Sequence, residues 1–213
     1  MVMTMTLAFT RPTMGKEKFT LVKFTTEDGG TIQGAFFKAG SAKAIVFAHG
    51  AVFDKESWYF LAGKFQQQNV ASLAIDFRGY GKSKAGSTNK KMYDIIGAVI
   101  YLQQQGFTEI NIIGGSMGGA AVLAAWSFIK APVSKVVLLA PAGGKPIKST
   151  STDKLFVVSK DEGLYDRVQD IYAGSAEPKQ IKVFPGSAHA QHMFKAGYAD
   201  ELVALILAFI GQG

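Results

Sequence analysis

The stretch Gly114-Gly115-Ser116-Met117-Gly118 matches the pattern Gly-x-Ser-x-Gly. It follows an apolar run at 110–113 that is typical of a buried strand, and it precedes a run at 119–126 that is typical of a packed helix. A serine on a sharp turn between strand and helix has a strained backbone, and its hydroxyl projects above the sheet. Gly114 and Gly118 are expected where a Cβ would clash with the neighbouring strand or helix. The stretch therefore predicts a serine presented for chemistry at the end of a strand.

Length and composition favour one globular domain. The chain has 213 residues, of which 48% are hydrophobic, so we expect a single domain over 1–213 with an N-terminal extension at 1–18. It has no cysteine, which excludes disulfides, cysteine-ligated metals and thiol nucleophiles. Residues 1–12 lack the basic flank and apolar core of a signal peptide. The most apolar stretch, 202–210, is shorter than the ~20 residues that span a bilayer. We expect a soluble, cytoplasmic protein without a membrane span.

The charge distribution does not favour nucleic acid as a partner. The formal net charge is +7, and the basic residues are scattered apart from one cluster. The sequence shows neither a basic stripe with interleaved aromatic residues nor a known nucleic-acid-binding motif. We expect the cluster to be a solvated surface; the alternative is that it flanks the site and favours anionic substrates. The cluster consists of Arg78, Lys82, Lys84, Lys90 and Lys91.

The hydrophobic pattern predicts eight strands that alternate with helices. Segments 19–26 and 31–38 alternate polar with apolar residues around the turn Glu27-Asp28-Gly29-Gly30, and predict an antiparallel hairpin at a sheet edge. The later runs are continuously apolar, as in parallel strands buried on both faces. This order predicts an α/β fold with a mostly parallel eight-stranded sheet and helices on both faces. The later strands are expected at 44–48, 70–77, 110–114, 136–140, 155–159 and 181–184, and the helices at 55–68, 90–105, 117–129, 164–173 and 197–210.

A serine nucleophile needs an adjacent base, and that base needs a third group to hold it. In one known arrangement, the acid and then the base follow the serine along the chain. Asp161 is the first carboxylate after the strand 155–159 and is our choice of acid, with Glu162 as the alternative. His189 follows the last strand and a Pro-Gly turn and is our choice of base, with His192 as the alternative.

An oxyanion hole needs two preorganised backbone N–H donors. One is expected from Met117, at the start of its helix, where amides are free and the helix dipole is positive. The second is expected from Ala51 in the loop after the third strand, with Val52 as the less favoured donor. Gly50 would let the backbone turn toward the serine, and His49 is expected to be structural, with its ring bonded to nearby backbone.

Five pieces in order resemble the α/β-hydrolase superfamily across nearly the whole chain, namely 49–50, 76–83, 114–118, Asp161 and 186–189. The stretch 76–83 is similar to the family signature D-x-R-G-x-G-x-S; we assign it no chemistry, and Arg78 would pair with Asp76 or cap carbonyls. Many relatives carry a helical cap after the sixth strand. Here 142–153 is too short and polar for one, so the resemblance is to small cap-less serine hydrolases of esterase type with an open, shallow site.

The resemblance implies an enzyme that cleaves small-molecule carboxylic esters through an acyl-enzyme on Ser116, His189 and Asp161, without a metal or organic cofactor. Thioesterase, amidase or deacetylase activity on the same triad is an alternative, and so is a non-catalytic binding module. A short or surface-presented ester is expected. Phe53, Trp58 and Met193, with Tyr59 and Met117, are candidates for an apolar substrate pocket, although core packing is as good an interpretation of Trp58. The exposed edge hairpin allows a monomer or a homodimer.

Overall fold

The computed structural model describes residues 19–211; the predicted extension at 1–18 lies outside them. The strands are β1 Thr20–Thr25, β2 Thr31–Phe37, β3 Lys43–Ala48, β4 Ala71–Ile75, β5 Glu109–Gly115, β6 Val133–Leu139, β7 Asp153–Ser159 and β8 Lys179–Phe184. They form one sheet in the order β1-β2-β4-β3-β5-β6-β7-β8. β2 is antiparallel to β1 and to β4, whereas β3 to β8 run parallel. The predicted mostly parallel eight-stranded sheet with an edge hairpin is confirmed.

Five α-helices cover the two faces of the sheet within the described residues. Strand side chains alternate between the faces, so in β3 Val46 contributes to one apolar cluster while Ile45 and Phe47 contribute to the other. α1 and α5 pack on the Phe47 face, and α2, α3 and α4 pack on the Val46 face. The helices are α1 Tyr59–Gln67, α2 Met92–Gln104, α3 Met117–Ala125, α4 Tyr165–Gly174 and α5 Ala199–Gly211.

Short 3-10 helices account for most differences from the predicted helix boundaries. The predicted helix 55–68 begins as the 3-10 helix Lys55–Trp58, and the predicted helix 117–129 ends in the 3-10 helix Trp126–Phe128. A third 3-10 helix, Ala190–Lys195, was not predicted. Between β6 and β7 the chain forms neither helix nor strand, so the expected absence of a cap is confirmed.

The strand order creates a crevice at the carboxyl ends of β3 and β5. From β3 the chain passes through α1 to β4 on one side, and then through α2 to β5 on the other side of β3. The loop after β3 leads to α1 and the turn after β5 leads to α3; because these two helices lie on opposite faces of the sheet, the two connections diverge at this point. Ligands of open α/β sheets bind at such a topological switch point. The loop after β3 and the turn after β5 are the segments in which Gly50 and Ser116 lie.

Arg78 corrects two expectations about the basic residues. Its side chain is fully buried, so it does not belong to the solvated basic cluster. It pairs with Asp28 at 2.6 Å and with Asp94 at 2.7 Å rather than with Asp76. The alternative, that it caps a carbonyl, is confirmed, because its Nη1 donates to the Thr88 carbonyl at 2.6 Å. Asp76 instead pairs with Lys55 at 2.8 Å. The guanidinium bonds hold the pKa of the Asp28 carboxyl well below its usual range, whereas burial raises the pKa of Asp94. Arg78 thereby joins the hairpin turn to α2.

We expect Arg78→Met to lower the free energy of unfolding by about 3–5 kcal/mol, because it leaves the buried carboxylates of Asp28 and Asp94 without their cationic partner. Lys182→Met is the matched control: it breaks the exposed Lys182–Glu201 pair and should cost less than about 1 kcal/mol. Urea denaturation measures both. Equal, small losses in the two variants would show that the Arg78 cluster does not stabilise the fold.

Candidate active site

Ser116 lies on the sharp turn that the sequence predicts. Its φ of 50° and ψ of −115° place it in a conformation that non-glycine residues rarely adopt. Its N–H donates to the Leu139 carbonyl at 2.9 Å, and its own carbonyl accepts from the Ala142 N–H at 3.0 Å. A Cβ on Gly114 would lie 3.0 Å from the backbone of α3, and one on Gly118 would overlap the Ala48 carbonyl. The two glycines are therefore required by close backbone approach.

A continuous hydrogen-bonded chain joins a serine, a histidine and a carboxylate. Ser116 Oγ lies 2.8 Å from His189 Nε2, and His189 Nδ1 lies 2.5 Å from Glu162 Oε2. A carboxylate only accepts hydrogen bonds, so the ring proton is assigned to Nδ1. That tautomer leaves the lone pair of Nε2 to accept from the serine hydroxyl. The three elements that supply these groups are the turn after β5, the loop after β7 and the loop after β8.

The structure contradicts Asp161 as the partner of His189 and places Glu162 there. Asp161 is exposed, and its N–H donates to the Gly186 carbonyl at 3.0 Å, which extends the β7–β8 pairing beyond the strand ends. The next side chain then projects inward, and Glu162 is 8% exposed. Its Oε1 is buried without a partner among the described residues. His192 is exposed, with its ring 4.9 Å from that of Phe53.

The peptide between Gly50 and Ala51 is held at its carbonyl. The Gly50 carbonyl accepts from the Phe53 N–H at 3.1 Å and lies 2.8 Å from His49 Nδ1. His49 Nε2 lies 3.2 Å from the Phe77 amide, which must donate to it, so the His49 proton is on Nδ1. In a trans peptide the N–H points opposite to the C=O, so the Ala51 N–H faces away from His49. No partner for this N–H occurs in the part of the chain that the structure describes.

Two further side chains fix this loop, and neither was predicted. The Tyr80 hydroxyl donates to the Ala51 carbonyl at 3.0 Å, and the Gln191 Oε1 accepts from the Gly50 N–H at 2.6 Å. Both residues lie far from Gly50 in sequence: Tyr80 lies within the signature 76–83, and Gln191 lies two residues after His189. Proximity to the signature 76–83 and to His189 was the available signal. Pattern alone did not reveal contacts with the β3 loop.

Two open cavities flank the loop, and Phe53 lines both of them. One, of about 340 Å³, is lined by Phe53, Phe60 and Phe194 together with Ser57, Gln191 and Lys195. The other, of about 460 Å³, lies between the loop and Tyr80. Trp58 and Met193 are wrong as pocket residues: both are 0% exposed and belong to the apolar cluster on the α1 and α5 face. Tyr59 packs against Phe19 and Phe37.

Of the predicted basic cluster, Lys82, Lys84 and Lys90 are exposed. Lys91 lies with its Nζ 5.8 Å from the centre of the Tyr80 ring, beside the loop that carries Ala51. Lys91 thus lies near Tyr80, which lines one of the two cavities, and an effect of the cluster on anionic substrates stays a prediction. Among residues 19–211, no helix is long and apolar enough to cross a membrane.

With this fold and this turn in place, the class of protein is defined. A sequence model of the α/β hydrolase fold matches residues 43–195, and the chain belongs to that family. It is 28% identical over 113 residues to protein YfhR of Escherichia coli O157:H7, covering 48% of this chain and 40% of that one. It is 32% identical over 136 residues to a Mycoplasma pneumoniae protein provisionally named esterase/lipase 3, covering 60% and 47%.

The fold is also that of a solved esterase from Pyrococcus furiosus. The two share 18% identity with a TM-score of 0.75, over 91% of this chain and 90% of the other. The present chain spans about half or less of the length of the two sequence relatives. The family is therefore established by the sequence model, and the fold agrees with it.

We expect the His49 ring to titrate below the ordinary histidine pKa of about 6.5, because burial lowers its pKa. A neutral ring stabilises the fold fully above pH 6.5, and that contribution declines as the pH falls below this value. NMR of the three histidines, assigned with single His→Asn variants, measures the midpoint and the Nδ1–H tautomer. A midpoint at or above 6.5, or an Nε2–H tautomer, would contradict the assignment.

Proposed function

We propose that this chain is a serine hydrolase that cleaves carboxylic esters through an acyl-enzyme. The observation that carries the proposal is the chain of contacts from Ser116 Oγ through His189 to the Glu162 carboxylate, at 2.8 and 2.5 Å. A serine hydroxyl with a hydrogen-bonded imidazole, itself held by a buried carboxylate, is the arrangement that activates serine for attack on acyl groups. Glu162 takes the role that the sequence assigned to Asp161.

The reaction proceeds in two steps. Ser116 Oγ attacks the ester carbonyl carbon while its proton moves to His189 Nε2. The attacked carbonyl group becomes a tetrahedral oxyanion. The C–O bond to the alcohol breaks, the departing oxygen takes the proton from Nε2, and the acyl group remains on Ser116. Water then attacks the acyl carbon and gives its proton to His189, and the acid leaves as Ser116 recovers its proton. Glu162 stabilises the imidazolium in both steps.

Two backbone amides are assigned to the oxyanion. Met117 is the first residue of α3, so its N–H has no acceptor within the helix and lies at the positive end of the helix dipole. The Ala51 N–H is the second donor, on the Gly50–Ala51 peptide whose carbonyl is held by His49 and by the Phe53 N–H, while Tyr80 bonds the carbonyl of the following peptide. The Gly50 N–H is already bonded to Gln191 and is not available. Loss of one such donor typically slows acyl transfer 10²–10³-fold.

The open site favours short or surface-presented esters. The cavity between Phe53, Phe60 and Phe194 is apolar and small, at about 340 Å³, and no cap closes over it. The Pyrococcus furiosus protein with the same fold is an esterase. Thioesters and amides would react by the same route, and relative rates on matched ester, thioester and amide substrates with one acyl group distinguish these activities.

The first test is labelling of Ser116 by a fluorophosphonate. We expect one adduct per chain, located on Ser116 by mass spectrometry, together with hydrolysis of short-chain esters. Ser116→Ala should lose both. Well-folded protein that neither labels nor hydrolyses an ester would overturn the proposal and leave a non-catalytic binding module on the hydrolase fold.

A paired substitution tests the acid. Glu162→Gln should lower kcat on the order of 10³–10⁴-fold, because an amide favours the wrong imidazole tautomer. Asp161→Asn removes the neighbouring, exposed carboxylate and should leave kcat unchanged. Steady-state kinetics on one short ester measures both. The reverse ranking of the two variants would restore Asp161 as the acid.

A further inference from the structure

We propose that Gln191 is a positioning residue that holds the oxyanion loop, residues 50–53, against the nucleophile; this role rests on the proposed hydrolase activity. Gln191 is 4% exposed and lies two residues after His189. Its side chain reaches across to the loop after β3, which is more than a hundred residues away in sequence. It therefore joins the segment that carries the base to the segment that carries the proposed oxyanion donor.

The hydrogen bonds of Gln191 have one consistent direction. The Gly50 N–H can only donate, so Oε1 is the atom that accepts it, at 2.6 Å. Nε2 then donates to Ser57 Oγ at 2.5 Å. The Ser57 hydroxyl donates onward to the Asp54 carbonyl at 2.5 Å, which leaves its lone pair free for Nε2. The side-chain amide of Gln191 is thus bonded directly to Gly50 at the start of the loop. Through Ser57 it is also linked to the carbonyl of Asp54, the residue that follows the loop.

Gln191 also lies close to the nucleophile turn. A Cβ on Gly115 would be 3.1 Å from Gln191 Oε1, and a Cβ on Gly50 would be 3.2 Å from the same oxygen. The same added Cβ on Gly50 would lie 3.4 Å from Ser116 Cβ. Oε1 therefore sits between the backbone before Ser116 and the backbone before Ala51. Its placement sets the spacing between the nucleophile and the Ala51 amide.

The backbone conformation of Ala190 sets the directions of the His189 and Gln191 side chains on either side of it. Ala190 has a φ of 46° and is 1% exposed, although non-glycine residues seldom take this conformation. Strain of this kind persists where the surrounding structure fixes it, commonly at functional sites. Here it lets His189 face Ser116 while Gln191 faces Gly50. One strained residue therefore places both the base and the holder of the loop.

The prediction concerns kcat rather than substrate affinity. Removal of the Gln191 amide leaves the Gly50 N–H without a partner and lets the Ala51 amide move from its position. A displacement of about 1 Å in an active site can cost up to 10²-fold in rate, so Gln191→Leu should lower kcat by roughly 10- to 100-fold with KM unchanged. Gln191→Glu keeps an acceptor for the Gly50 N–H and should keep hydrogen exchange of that amide slow, although its negative charge disfavours a nearby oxyanion. Gln180→Leu, at an exposed position on β8, is the control and should match the wild type.

A second variant and a structural measurement complete the test. Ser57→Ala removes only the far anchor of the side chain and should give a smaller loss of kcat in the same direction. Hydrogen exchange of the Gly50 amide should be slow in the wild type and fast in Gln191→Leu, whether or not an ester is turned over. In Gln191→Leu, unchanged exchange, an unchanged kcat or a loss confined to KM would overturn the role, and so would fast exchange of the Gly50 amide in Gln191→Glu. Absence of labelling and turnover in the wild type would instead identify a failure of the proposed hydrolase function.

Discussion

The left-handed backbone of Ser116 is the constraint around which this end of the sheet is organised. A conformation of this kind costs about 1–3 kcal/mol and persists only where neighbouring segments hold it. Here the Leu139 carbonyl and the Ala142 N–H bond the two sides of the residue, so the ends of β5 and β6 must stay in register. Close approach then leaves no room for a Cβ at Gly114 or Gly118. The two glycines are needed because the backbones of β5, of α3 and of the end of β3 approach one another closely here.

The oxyanion loop, on the other side of the site from Ser116, is also held in one conformation by hydrogen bonds, but these come from side chains. The oxyanion loop after β3 has no regular structure of its own beyond a turn at Gly50, so its geometry depends on side chains from elsewhere. His49 and Tyr80 hold it from the side of β4, and Gln191 holds it from the segment after β8. Polar side chains act here as fixed supports because each is matched donor to acceptor. Backbone hydrogen bonds thus hold the turn at Ser116, whereas side-chain hydrogen bonds hold the loop that carries the proposed oxyanion donor.

The sequence predicted well those features that follow from local pattern. Continuous apolar runs specified the parallel strands, and the turn around Ser116 and the position of His189 followed from their order after strands. Asp161 was wrong by one residue, because the pairing of its N–H with Gly186 beyond the strand end decides which of two adjacent carboxylates points inward. Trp58 and Met193 were wrong because an apolar side chain looks the same in sequence whether it lines a pocket or fills the core. Contacts such as Gln191 with Gly50 depend on tertiary placement, which periodicity does not encode.

The signature 76–83 illustrates how a structural element can act on the site without touching the substrate. Buried ion pairs anchor its N-terminal part: Asp76 pairs with Lys55, and Arg78 pairs with Asp28 and Asp94. Tyr80 stands between these anchors and the cavity, and its hydroxyl reaches the Ala51 carbonyl while its ring packs edge-on against His49. A buried ion pair contributes little net stability by itself, but breaking it is costly, so it holds a segment in one arrangement. The ion pairs therefore fix Tyr80, and Tyr80 in turn limits the movement of Ala51 by bonding the carbonyl of the residue whose N–H is assigned to the oxyanion.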